Sequence, residues 1–162
     1  MKTINKLSNL MQIKLAINEC KNEKITLKNL ISIEIENNNF VNSINATLNK
    51  NKIENLKIPT LGNNFELKTL NSLENLKSLE IGQLRMNDLE EPKISLPRLE
   101  NFYCNSKYPI TIISDSPKLK SIYGKIDTEL DYSNIKNNLE EITFTNEEAI
   151  NIDNVNTKKQ RE

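Results

Sequence analysis

Histidine and tryptophan are absent from this 162-residue chain, and glycine (three) and cysteine (two) are scarce. Without histidine, neither a Ser–His–Asp nor a Cys–His catalytic arrangement can be built. Cys20 and Cys104 stand far apart, match no zinc spacing and are too few for an extracellular disulfide framework. Both occupy apolar places, which predicts buried, inert thiols. Gly62, Gly82 and Gly124 are too dispersed to form a phosphate-cradling loop. There is no excess charge of either sign, since 22 basic residues balance 22 acidic ones. Such a chain has no long-range field to attract nucleic acid or an acidic membrane. No long apolar run is present either, and "MKTINKLSNLMQIKLAINEC" interrupts its apolar residues with Asn, Lys and Gln. Neither a signal peptide nor a membrane span is expected. The expectation is a cytoplasmic protein with no membrane contact, with export by a signal-independent route left open.

Asparagine, lysine and isoleucine are abundant instead, a pattern that fits codon bias in an AT-rich genome. Asparagine richness by itself is therefore not read as function. The distribution of the apolar residues is more informative. "LMQIKL" from Leu10 is followed by "LISIEI" from Leu30, "IENLKI" from Ile53, "LKSLEI" from Leu76, "LENFYC" from Leu99, "LKSIYG" from Leu119 and "LEEITF" from Leu139. The starts are 20, 23, 23, 23, 20 and 20 residues apart. The first, fourth and sixth places are apolar in every block but one, where Gly124 takes the sixth place.

These blocks resemble the leucine-rich repeat, L-x-x-L-x-L-x-x-N-x-L, at its period of twenty-odd residues. The resemblance covers roughly residues 7 to 150. The first two copies carry the whole motif, through Asn18 and Cys20 and through Asn38 and Phe40. Later copies keep the strand half, and the asparagine's place holds Leu61, Leu84, Lys107, Asp127 and Glu147. The resemblance implies an α/β solenoid, with a curved parallel β-sheet on its concave face and short helices or irregular legs on its convex face. Residues 1-152 would form one domain of about seven repeats, and 153-162 a solvated tail. Stacking is required because no repeat can bury its apolar side alone.

The return legs differ in pattern. "FVNSINATL" places Phe40, Val41, Ile44 and Leu48 near helical spacing, and "FELKTLNSL" offers Phe65, Leu70 and Leu73. "DLEEPKISLPRL" and "KYPITIISDSPKL" carry two prolines each, which predicts extended or irregular legs. Ile4 and Leu7 are expected in a short helical cap at one end, and Ile150 and Ile152 over the last repeat. Asp127, Glu129 and Asp131 lack the spacing of a calcium loop and read as solvated.

Residues between the apolar places should line the opposite face. The fifth places read Lys14, Glu34, Lys57, Glu80, Tyr103, Tyr123 and Thr143. The second places read Met11, Ile31, Glu54, Lys77, Glu100, Lys120 and Glu140. Both rows alternate in sign, so lateral neighbours can pair, each pair contributing little when exposed. Tyr103 and Tyr123 fall side by side. Two readings stand: ordinary cross-strand packing, or contact with a partner, since tyrosine gives large contact area at low entropic cost. Glu80, Asn101, Asn105 and Lys125 would form a polar rim to such a site.

The resemblance implies a monomeric, non-catalytic module that binds a partner protein through its concave face, with no cofactor, no metal and no nucleic acid. One alternative is a recognition segment of a larger secreted effector or enzyme complex whose chemistry lies elsewhere. Another is a purely structural spacer.

Overall fold

Each block becomes a strand over its last four places. The computed structural model describes residues 4–16, 24–36, 40–62, 64–85, 93–105, 116–124 and 139–144. Its strands are β1 (Gln12–Leu15), β2 (Ser32–Ile35), β3 (Asn55–Leu61), β4 (Ser78–Leu84), β5 (Asn101–Cys104), β6 (Ser121–Gly124) and β7 (Glu141–Phe144). All pair in parallel, in chain order, as one seven-stranded sheet. The expected α/β class and parallel sheet are therefore present. Register follows the block spacing without a slip: Gln12, Ser32, Asn55, Ser78, Asn101, Ser121 and Glu141 are successive Cα partners. A one-residue slip would turn the apolar side outward, so burial of one face holds the register.

The buried face is built from the predicted places. Leu30, Ile53, Leu76, Leu99, Leu119 and Leu139 are buried at the first place, and Ile33, Leu56, Leu79, Phe102 and Ile122 at the fourth. Leu15, Ile35, Ile58, Ile81 and Cys104 are buried at the sixth. Residues between them on the strands are exposed or half-buried, as the two-residue side-chain period requires. Gly124 breaks the apolar rule for a backbone reason. Its φ is +145°, and a Cβ there would run into the carbonyl oxygen of Cys104 on the neighbouring strand.

The strands are entered through a recurring turn. The amide of the first-place residue donates to the carbonyl three residues earlier in Leu7–Leu10, Lys50–Ile53, Leu73–Leu76, Leu96–Leu99 and Ser116–Leu119. Pro97 and Pro117 hold the second position of two such turns, where a fixed φ suits the bend. One residue further on, the second-place carbonyl accepts two amides from the next strand. Met11 O, for example, accepts from Ile31 at 2.9 Å and Ser32 at 3.0 Å. The same fork recurs at Ile31, Glu54, Lys77, Glu100 and Lys120.

Two return legs are helical: α1 (Phe40–Ala46) and α2 (Asn64–Asn71). Val41 and Ile44 of α1, and Leu67 and Leu70 of α2, join the core together with Leu73. Leu48 departs from the expected spacing: α1 ends before it, and it is 54% exposed. The leg 93–96 has no regular structure and buries Ile94 and Leu96, in keeping with its prolines. The expected legs at 106–115 and the residues Ile150 and Ile152 lie outside the described residues, as do Cys20 and the motif asparagines Asn18 and Asn38.

At the first end the expected helical cap is a single 3-10 turn, Ile4–Lys6, and Leu7 is 51% exposed instead of covering the core. Asn5 makes the contact to the next repeat. Its amide donates to Lys24 O at 2.8 Å and its oxygen accepts from Thr26 N at 2.9 Å. Asn71 repeats this clamp on Lys93 O and Ser95 N, at 2.9 and 3.0 Å. A side-chain amide carries one donor and one acceptor group, so it satisfies an extended backbone as a neighbouring strand would. These asparagines thus have a structural role that composition alone conceals.

Candidate functional site

Alternation along the strands puts the third and fifth places on the face away from the core. Its fifth-place row divides into two halves. From β1 to β4 it is a chain of ion pairs. Lys14 Nζ lies 3.1 Å from Glu34 and 2.9 Å from Glu36, and Lys57 Nζ lies 4.0 Å from Glu34 and 2.8 Å from Glu80. Hydrogen bonds to Glu36 and then Glu34 raise the Lys14 ammonium above its ordinary value, and the bond to Glu80 does the same for Lys57. The second-place row is also cross-paired, Lys77 with Glu54 at 2.9 Å and Lys120 with Glu100 at 2.8 Å. The bond between Lys120 and Glu100 raises the ammonium and lowers the carboxyl. The predicted sign alternation therefore resolves into contacts within the chain.

From β5 onward the fifth-place row is neutral. Tyr103 and Tyr123 are Cα partners, flanked by Glu80 on one side and Thr143 on the other. Tyr103 is 38% exposed, one of few large apolar side chains so open to solvent among the described residues. Tyr123 is half-buried, and its hydroxyl donates to the Glu141 carboxylate at 2.7 Å. Glu141 was not among the candidates from sequence. It sits two residues before Thr143, the Cα partner of Tyr123, hence on the diagonal that a long aromatic side chain reaches.

The other candidates fall around this pair. Asn101 is exposed between Ser78 and Ser121. Asn105 is exposed at the end of β5, where its amide donates to Ile81 O at 3.2 Å. Glu80 adjoins Tyr103 in register, but its carboxylate is engaged by Lys57. Lys125 lies outside the described residues. The sheet thus brings together five of the six: Tyr103, Tyr123, Glu80, Asn101 and Asn105.

Among the described residues, no group of three His, Cys, Asp or Glu side chains could hold a metal ion. No helix among them is long and apolar enough to cross a membrane. Cys104 is buried and not disulfide-bonded. What the face offers is tyrosine surface with amide and hydroxyl groups around it, beside a stripe of charge already paired. Compared with protein-family models, with curated proteins and with solved structures, the chain has no match.

Proposed function

We propose that this chain is a leucine-rich-repeat protein acting as a non-catalytic binding module, which holds a partner protein against the exposed face of its sheet. The apolar places, their 20- and 23-residue spacing and the unbroken register support the repeat reading. One observation carries the functional reading: Tyr103 and Tyr123 lie side by side on the exposed face, at the point where its fifth-place row changes from self-paired charge to neutral groups. The carboxylates and ammonium groups on β1 to β4 already have partners, so breaking them to bind costs about what is regained. The neutral fifth places, Tyr103, Tyr123 and Thr143, carry no such cost. Glu141 holds the Tyr123 hydroxyl in place, which reduces the ordering required on binding. Tyr103 presents the more open surface, and Asn101 and Asn105 supply amide groups at the margin.

The test compares proteins captured from the native cell extract by three immobilised forms: the natural chain, Tyr103→Ala/Tyr123→Ala, and Lys14→Gln/Lys57→Gln. Loss of two tyrosines at a binding hot spot should weaken capture of the specific partner at least about tenfold. The lysine variant should retain it. Equal capture by the tyrosine variant and the natural chain would remove this face as the binding site.

A further inference from the structure

The second-place row changes character at the β1 end. From Glu54 to Glu140 every residue is charged. Before that stand Met11 and Ile31, adjacent through the Ile31 N–H to Met11 O bond of 2.9 Å. Met11 is 53% exposed and Ile31 is half-buried. They floor an open depression whose remaining lining is Asn9, Lys28, Asn29 and Lys52. Its rim is ordered from within. The Asn29 amide donates to Ser8 O at 2.9 Å, and the Lys52 ammonium donates to Lys28 O at 3.3 Å. Lys52 is thereby held at the edge with two further N–H donors to offer.

The charge here contrasts with the rest of the sheet. Lys14, Lys57, Lys77 and Lys120 each meet a carboxylate. Among the described residues, Lys28 and Lys52 are exposed and have no ion pair, and no acidic side chain lines the depression. An apolar floor with two cations at its rim, neither paired among the described residues, complements an aliphatic side chain flanked by carboxylates. Methionine adapts its shape to such an anchor. A flat lipid surface suits the site less, because Met11 and Ile31 line a depression and Ile31 is half-buried. We propose that this depression is a second docking site, which takes an extended acidic peptide segment of a partner and seats one aliphatic side chain of it on Met11 and Ile31. The proposal does not depend on the tyrosine face.

The experiment follows the Met11 methyl resonance of the full chain by NMR, assigned through Met11→Leu, during titration with the capped peptide Glu-Leu-Glu-Glu. Capped Lys-Leu-Lys-Lys and Glu-Gly-Glu-Glu serve as controls. A saturable shift is expected with the first peptide, and at least about tenfold weaker binding of either control. Lys28→Ser/Lys52→Ser, with an unchanged circular dichroism spectrum, should lose about tenfold, and Tyr103→Ala/Tyr123→Ala should lose nothing. An unmoved Met11 methyl, or an equal response to the basic peptide, would overturn the proposal. So would binding of mixed phosphatidylserine–phosphatidylcholine vesicles through the same lysines without any response to the acidic peptide.

Discussion

The centre of the sheet and its β5 to β7 side are built from the same first, fourth and sixth places, yet they are not the same structure. β3 and β4 are seven residues long and stay paired as far as Leu61 and Leu84, whereas β5 is four residues long and Asn105 already lies beyond it. The added length ends at the ninth place of the block, which is leucine in both. Both leucines are buried. An apolar side chain there is drawn into the core, and the strand extends to carry it. Pro59 lies inside this extension, removing one ladder donor. Opposite it, Gly82 permits a close approach, since a Cβ at that position would lie only 2.7 Å from Pro59 O. In β3 and β4 a buried ninth place thus accompanies the longer strand, while the first six places set the sheet.

Leu84→Asn addresses this comparison with the largest expected effect. It puts an amide where the strand has buried a leucine, and both the lost apolar contact and the poorly paired amide destabilise. A loss of about 3 kcal/mol is expected in urea unfolding. The same change at the exposed neighbour, Gln83→Asn, should fall within about 0.5 kcal/mol. If the two variants proved equally stable, burial at the ninth place would not explain the long strands.

Gly124→Ala is the matching change on the short-strand side. Positive φ and the nearby Cys104 carbonyl together should cost about 2 kcal/mol. Gly62→Ala should cost less, because its φ is not in the left-handed region and the nearest atom to an added Cβ, the Arg85 Cβ, is 3.2 Å away. A neutral Gly124→Ala would show that β5 and β6 do not approach as closely as described.

The smallest effect concerns the charged rows. Folding lowers the Glu100 pKa, chiefly through its hydrogen bond to Lys120. Its contribution is therefore present above the unfolded carboxyl value and is lost as pH falls through the lower folded value. Lys14, Lys57 and Lys120 have raised values, so their contributions are present below the unfolded lysine value and are lost as pH rises through the folded one. These groups are solvent-screened, and the changes should be slight. Glu100→Gln should flatten the acid limb of the stability–pH curve without affecting the plateau greatly, and about 1 M salt should mute the difference. An undiminished acid limb in the variant would assign that pH dependence to other carboxylates.

Much of this was legible in the chain before any coordinates. Apolar residues at places one, four and six cannot be buried by a strand alone, so their recurrence at 20 or 23 residues required side-by-side stacking, and opposite charges in one row then had to become neighbours. Some local features were less visible. Leu48 had helical spacing but lay past the end of α1, because periodicity does not mark where a helix stops. Leu7 looked like a cap, but an apolar residue next to a 3-10 turn need not reach the core. Pro97 and Pro117 signalled irregular legs, and their place in a recurrent turn emerged only from the hydrogen bonds. In the candidate site, the adjacency of Tyr103 and Tyr123 followed from the register, whereas Glu141 required a diagonal contact that row-by-row alignment does not show.

The sequence by itself determined which side of each strand is buried and in what order the strands stand, because both follow from apolar spacing and chain connectivity. Only the tertiary structure decided how far each strand extends, which asparagines clamp a neighbouring backbone, and which lysines meet a carboxylate. Those outcomes depend on distances of a few ångströms between residues about twenty positions apart, and hydrogen bonds and ion pairs are sensitive to such distances in a way that burial is not.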